Sequence, residues 1–221
     1  MAYPTVDKPY GLKPVNLIGG QVFAGSTRQR RIASGAASIG YGDPLVFETD
    51  GTVKVSDATS AAANSGFAGV FLGCNYVSSV TGQPTYSQSW ISGTSVKANT
   101  YIYAYVADDP DTLFKAVGVT ASLAVSTTSG FVYSDIGTNV ALVANTLNTT
   151  TGDSQQGLEV GSVGTTRSLP IRIVDVVEDT AFVSSGTTYY PEVIVKFNAP
   201  YTTGASGLIV GGHAYYNPLG T

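Results

Sequence analysis

The chain has 221 residues, only 12% of them charged, and a formal net charge of −4. Long amphipathic surface helices are disfavoured, because their solvent-facing sides require many Glu, Lys and Arg residues. The 26 glycines and 14 tyrosines instead favour an all-β fold of strands joined by turns. No apolar run approaches the roughly 20 residues of a membrane span, and no signal peptide is recognisable, so we expect synthesis in a cytoplasm and no membrane partner.

Residues 1–31 are predicted to form an extended basic arm. Pro4, Pro9 and Pro14 each favour extended backbone. Two short apolar runs, residues 15–18 and 21–24, flank Gly19-Gly20. The segment carries five basic residues and one acidic residue, a net charge of +4, which leaves −8 on the rest of the chain. Because it buries too little of itself to fold alone, it must pack on its own body or on a partner, and we expect a partner.

Residues 32–125 are predicted to form a small β-barrel or sandwich. Residues 45–49 and 52–55 are two predicted strands around Asp50-Gly51, a dipeptide typical of a tight turn with positive φ at both residues. Residues 67–73 are apolar on both faces, which predicts a strand at the centre of the sheet.

The clearest alternation in the chain lies at residues 101–106. Tyr101, Tyr103 and Tyr105 occupy one face of this predicted strand, and aliphatic residues occupy the other. After a turn rich in Asp and Pro, we expect residues 113–117 to resume pairing with it.

Residues 126–221 are predicted to form a second β-rich region. Its best predicted strands are residues 169–177 and 191–198, since both are rich in β-branched residues. Short helices are predicted near residues 57–63 and 154–159.

The chain lacks the residue patterns of common catalytic and metal sites. His213 is the only histidine, so a zinc site has no second His ligand, and Cys74 is the only cysteine, which we interpret as a small buried residue. Asp108, Asp109 and Asp111 lack the glycine and glutamate of a calcium loop, so a strand-ending turn is the preferred interpretation. No phosphate-binding glycine motif occurs, and the acidic body disfavours direct nucleic-acid binding. We expect no enzyme activity, no cofactor and no metal.

Several short motifs follow one another in the first half of the chain. They are Tyr10-Gly11-Leu12-Lys13-Pro14-Val15, Gly25-Ser26-Thr27-Arg28, Gly42-Asp43-Pro44-Leu45-Val46, Asp50-Gly51, Phe67–Gly73, and Ala107-Asp108-Asp109-Pro110 before Leu113-Phe114. In this order they resemble the capsid decoration, or cement, proteins of tailed bacteriophages. The second half shares only a general composition with that family, and the chain is longer than the smallest members.

The resemblance implies a β-barrel-like virion protein, often trimeric, on the outer surface of a capsid. Such a protein is synthesised in the host cytoplasm, binds the major capsid protein and uses an extended arm to clamp neighbouring capsomers. We therefore expect residues 1–31 to make the main shell contacts, with the arginines paired to carboxylates of a protein partner. The candidate capsid-contact residues are Lys8, Pro9, Tyr10, Lys13, Arg28, Arg30 and Arg31.

A second interpretation makes the chain a tail or fibre component that binds a host-surface glycan. Tyr101, Tyr103, Tyr105 and Trp90 would then stack on sugar rings, although aromatic residues at alternate strand positions more often pack within a sheet. A polysaccharide depolymerase is the least favoured interpretation, because it requires paired carboxylates facing one cleft.

Overall fold

The computed structural model describes residues 6–56, 67–166 and 169–198. It contains fifteen β-strands, three 3₁₀ turns and no α-helix in these ranges, which confirms the all-β prediction. The strands are β1 (Lys13–Leu17), β2 (Arg28–Arg31), β3 (Pro44–Phe47), β4 (Val53–Val55), β5 (Phe67–Val77), β6 (Pro84–Ser87), β7 (Tyr103–Ala107), β8 (Thr112–Val119), β9 (Asn139–Val140), β10 (Leu142–Val143), β11 (Gly157–Glu159), β12 (Ile171–Val176), β13 (Phe182–Ser184), β14 (Thr187–Tyr189) and β15 (Glu192–Phe197). The 3₁₀ turns are Tyr133–Asp135, Val160–Ser162 and Glu178–Thr180. The helix predicted near residues 57–63 lies outside the described residues, as does His213.

The first half of the chain forms a small, nearly closed barrel. Its strands lie in the order β2-β7-β5-β3-β4, with β6 added to the far end of β5. Directly after β2, Ile32 makes a parallel bridge to Val53 in β4, which brings the two edges of the sheet together. The interior is filled by Ile32, Ile39, Leu45, Val53, Phe71, Cys74, Trp90, Ala104 and Val106. The central position of β5 and the alternation along β7 are confirmed.

The turn between β3 and β4 differs from its prediction. The Glu48 N–H donates to the Thr52 carbonyl at 2.8 Å, so the loop has three residues rather than two. Only Gly51 has a positive φ, of 80°, whereas Asp50 does not. A three-residue hairpin loop needs the left-handed conformation at its last position alone, which explains the difference.

The second half forms another barrel, in the strand order β10-β11-β8-β15-β12-β9. Residues 139–143 contain both β9 and β10, and they pair with β12 at one end and with β11 at the other. One short segment therefore closes the sheet on itself. The interior of this barrel contains Phe114, Ala116, Phe131, Leu158, Ile171, Ile173, Val193, Val195 and Phe197. Phe67 of the first barrel stacks on Phe197 with ring centroids 4.6 Å apart, so the two cores are in contact.

The chain passes from the first barrel to the second at residues 108–111, before the predicted boundary at residue 125. Consequently β8 does not pair with β7, as we had predicted, but with β1, β11 and β15. The helix predicted near residues 154–159 is also wrong, because this stretch contains β11, which lies parallel to β8.

Residues 6–31 were predicted to form an extended arm, but they pack on the chain's own body. β1 is antiparallel to β8, β2 is antiparallel to β7, and the Leu12 side chain is only 1% exposed. The expectation that this segment needs a partner to cover it is therefore wrong for much of its length. The physical reason is that the edges of β7 and β8 have unpaired backbone groups that only another strand can satisfy.

Three segments of the chain meet where the two barrels join: residues 10–12, 40–43 and 152–156. The Leu12 N–H donates to the Gly42 carbonyl at 2.8 Å, and similar backbone bonds tie both of these segments to the third. We call this contact the three-segment junction. It links an N-terminal turn to loops that are about 30 and 140 residues further along the chain.

Glycine allows the three segments to approach so closely. A Cβ atom on Gly11 would lie 2.4 Å from the Gly42 carbonyl oxygen, and one on Gly40 would lie 2.7 Å from the Ser154 nitrogen. Asp43 is buried beside them, and the Gly40 N–H donates to its Oδ2 at 2.7 Å. Two of the motifs that carried the family resemblance therefore meet in space.

Candidate functional site

A short hairpin projects from the second barrel at residues 15–23. After β1 the chain turns at Gly19-Gly20, and Val22 returns to bridge with Asn16. The Leu17 N–H donates to the Gln21 carbonyl at 2.7 Å, and the Ile18 N–H donates to the Asp111 carbonyl at 2.9 Å. We call this element the 15–23 hairpin, and its backbone bonds fix it to the body.

The 15–23 hairpin exposes three aliphatic side chains, together with the polar residues Asn16 and Gln21. Ile18 is 51% exposed, Val22 is 74% exposed and Val15 is 37% exposed. Several exposed aliphatic side chains on one short element are typical of surfaces that bind another protein. Of the predicted contact residues that precede the hairpin, Lys8 is exposed and Pro9 is half-buried.

The predicted contact arginines are engaged within the molecule. Arg28 Nε lies 2.8 Å from Asp108 Oδ2, and Arg30 Nη2 lies 3.5 Å from the same oxygen. The Arg31 guanidinium lies 3.7 Å from the ring centroid of Tyr101. The arginines were predicted to pair with carboxylates of a protein partner. Arg28 and Arg30 pair instead with Asp108 of the same chain, because β2 lies beside β7 and Asp108 directly follows β7.

Tyr10 and Lys13 form a polar cluster that holds the N-terminal segment to the second barrel. The Tyr10 hydroxyl donates to Glu192, and Lys115 Nζ lies 3.0 Å from Glu192 Oε1. Lys13 Nζ lies 4.6 Å from the centroid of the Tyr10 ring. Burial and the neighbouring Glu192 carboxylate raise the pKa of the Tyr10 hydroxyl, so it stays a hydrogen-bond donor.

Replacing Tyr10 with phenylalanine should lower the free energy of unfolding by about 1–3 kcal/mol, because the buried Glu192 carboxylate loses a donor. Urea denaturation at pH 7 measures the effect. The same change at Tyr133, which is exposed, is the matched control and should have little effect. Equal stability of wild type and Tyr10→Phe would show that Lys115 alone satisfies Glu192.

A second surface feature is a groove of about 400 Å³ on the first barrel. Tyr101 and Tyr103 line it, together with side chains from β2, β5 and the turn before β7. Trp90 does not contribute to it, because its side chain is packed in the first-barrel core with only 5% exposure. Tyr105 also lies outside the lining, where its hydroxyl accepts a hydrogen bond from Asn75 at 2.8 Å. Of the four predicted aromatic residues, Tyr101 and Tyr103 therefore line the groove, Trp90 lies in the core, and Tyr105 belongs to neither.

The aspartates after β7 form a turn, as predicted. The Asp111 N–H donates to Asp109 Oδ1 at 2.9 Å, and Asp108 pairs with the arginines of β2. Across the described ranges, no group of three or more His, Cys, Asp or Glu side chains is placed to hold a metal ion. Burial raises the pKa of the Cys74 thiol to about 11, which fits its interpretation as a buried small residue.

Sequence analysis missed the 15–23 hairpin, although a signal was present. Gly19-Gly20 between two apolar runs is a recognised hairpin pattern, and we had interpreted it only as an interruption of an arm. Among the described residues, no helix is both long and apolar enough to cross a membrane.

Comparison of the chain with known protein families, with curated proteins and with solved structures finds no match. The 15–23 hairpin and the groove are the two surface features of the described residues that bear on its function.

Proposed function

We propose that this chain is a virion structural protein that binds the outside of a phage capsid and cements neighbouring capsomers. In this proposal the 15–23 hairpin makes the main contact with the major capsid protein. The observation that supports it best is the exposed apolar surface of Val15, Ile18 and Val22 on a hairpin that is anchored at its base. A role in catalysis is not part of the proposal.

An anchored hairpin suits this role better than a free arm. A free arm would have to become ordered on binding, which opposes association, whereas a hairpin that is already folded avoids most of that cost. Phe23 packs against the second-barrel core and holds the returning strand in place. The apolar side chains are thus presented in one arrangement before any partner arrives.

Binding across a seam would stabilise the shell by mass action. A protein that binds only the closed seam adds its binding free energy to the intact shell and loses it when the seam opens. A homo-oligomer, with a trimer favoured by the family resemblance, would engage several capsid subunits at once and dissociate slowly. Since β1 is bonded to β8, the second barrel would serve as the rigid base of the clamp.

Deleting residues 1–31 would not be a clean test of the proposal. The deletion would remove β1 and β2, which belong to the two sheets, together with the buried Leu12. Loss of capsid binding could then follow from misfolding alone. Substitutions at exposed positions of the hairpin avoid this problem.

Replacing both Ile18 and Val22 with aspartate should weaken binding to capsids by about ten-fold or more, because two charges would be buried at the centre of the contact. Binding is measured by co-sedimentation with expanded shells prepared without this chain, from the phage that encodes it. The same change at Val80, which is 85% exposed on the first barrel, is the matched control and should bind normally. Circular dichroism checks that all variants are folded.

Equal binding of the hairpin variant and wild type would contradict the proposal. A reconstruction of the particle provides the independent test. Density at the boundaries between capsomers, in many copies, would support the proposal, and density confined to the tail would overturn it.

A further inference from the structure

The groove on the first barrel is lined by residues of β2, β5, β6, β7 and the turn before β7, whereas the 15–23 hairpin follows β1 of the second barrel. Its lining includes Gln29, Asn75, Tyr76, Thr100, Tyr101 and Tyr103. A volume of about 400 Å³ lies within the usual range of small-ligand sites. We infer that this groove binds a neutral saccharide.

The tyrosine rings of the groove are held in fixed positions. Tyr101 and Tyr103 meet edge to face, with centroids 6.4 Å apart and planes inclined at 72°. The Arg31 guanidinium stacks on Tyr101, although the tyrosine side chain remains 57% exposed. Tyr76 is fixed from behind by an edge contact with Trp90 in the core. A rigid aromatic surface loses little conformational entropy when a ligand binds.

The polar groups of the groove are neutral. Gln29 and Asn75 supply amides and Thr100 supplies a hydroxyl, while none of the residues that line the groove carries a formal charge. The Asn75 amide is oriented by its hydrogen bond to the Tyr105 hydroxyl. A charged ligand would gain no counter-ion from the lining residues, the nearest charge being the Arg31 guanidinium that stacks on Tyr101. A purely apolar ligand would leave the amides unsatisfied.

A sugar ring has the matching chemistry. One of its faces presents C–H groups that pack against an aromatic ring, and its rim presents hydroxyls that donate to and accept from amides. A proline-rich peptide is the competing ligand, since such peptides bind aromatic grooves. The corner formed by Tyr101 and Tyr103 favours a compact ring, because proline-rich peptides require a row of roughly parallel aromatic ridges.

The full-length chain should therefore bind neutral glycans on a glycan array, and titration of the best neutral oligosaccharide should give a measurable Kd. Tyr101→Ala should weaken that binding by about ten-fold or more, because the exposed stacking surface is lost. The matched control is Tyr86→Ala, since Tyr86 is also exposed on this barrel but does not line the groove. This control should bind like wild type.

Two results would overturn the inference: no neutral glycan bound at millimolar concentration, whether or not a proline-rich peptide binds, or equal affinity of Tyr101→Ala and wild type for the glycan. Binding to capsids is a separate readout. Because the groove and the hairpin belong to different barrels, Tyr101→Ala should bind shells normally, so failure of either proposal leaves the other testable.

Discussion

Replacing Gly11 with alanine should destabilise the protein by roughly 3–5 kcal/mol, one of the largest effects expected of a single methyl group here. Gly11 has φ of +73°, which strains an L-residue, and the added Cβ would lie 2.4 Å from the Gly42 carbonyl oxygen. That oxygen belongs to the backbone of the three-segment junction and cannot rotate away, and the next nearest atoms are Cβ and Oγ of Ser154. Urea denaturation measures the loss, and limited proteolysis shows whether the N-terminal segment detaches first.

Alanine substitutions at Gly20 and Gly19 distinguish the cost of a positive φ from the cost of steric overlap of the added Cβ. Gly20 has a similar φ of +82° but has no atom within 4 Å of an added Cβ, so Gly20→Ala should cost only about 1–2 kcal/mol. Gly19 has neither a positive φ nor a neighbour, and Gly19→Ala should be close to neutral. If Gly11→Ala proved no more harmful than Gly20→Ala, the close packing of the junction would be disproved.

The stability of the protein should fall as the pH rises through about 6, owing to Asp43. Burial of this carboxyl raises its pKa from 3.8 to about 6, although the Ser154 side chain, the hydrogen bond from the Gly40 N–H and the Gln156 side chain oppose the shift. The folded state thus binds the Asp43 proton more tightly than the unfolded state does. The stabilisation that protonated Asp43 gives is fully present below the pKa of the carboxyl in the unfolded state and is lost above its pKa in the folded state. The free energy of unfolding changes by about 3 kcal/mol between these limits.

Asp43→Asn should remove this pH dependence, because asparagine is always neutral and can still accept the Gly40 N–H with its carbonyl oxygen. The measurement is the free energy of unfolding of both proteins between pH 4 and pH 8. The variant should become the more stable of the two at the alkaline end. Asp50→Asn is the control, since Asp50 lies on an exposed turn where bonds from Thr52 lower its pKa. Parallel curves for wild type and Asp43→Asn would contradict the assignment.

The individual strands could be predicted because their signal is local. Residues 101–106 alternate between tyrosines and aliphatic residues, and the structure places Ala104 and Val106 inside the first barrel. Residues 191–198 behave in the same way in the second barrel. Such patterns follow from side chains pointing to opposite faces of one strand, and they require no knowledge of the rest of the chain.

The pairing of strands could not be predicted in this way. β8 is buried along most of its length, so its sequence does not indicate which neighbours it takes. Its partners lie as far apart as Lys13 and Ile194, and closure of the second barrel decides between them. The three-segment junction could not be predicted from local sequence either. Gly11, Gly40 and Gly42 were visible as glycines, but the close approach that requires them involves segments far apart in the sequence.

The closed sheet of the second barrel limits how copies of this protein can associate. Because residues 139–143 pair at both ends, the path β10-β11-β8-β15-β12-β9 has no row of free backbone donors and acceptors to which a strand of another copy could add. Many copies could therefore stand side by side on one surface without polymerising through this barrel.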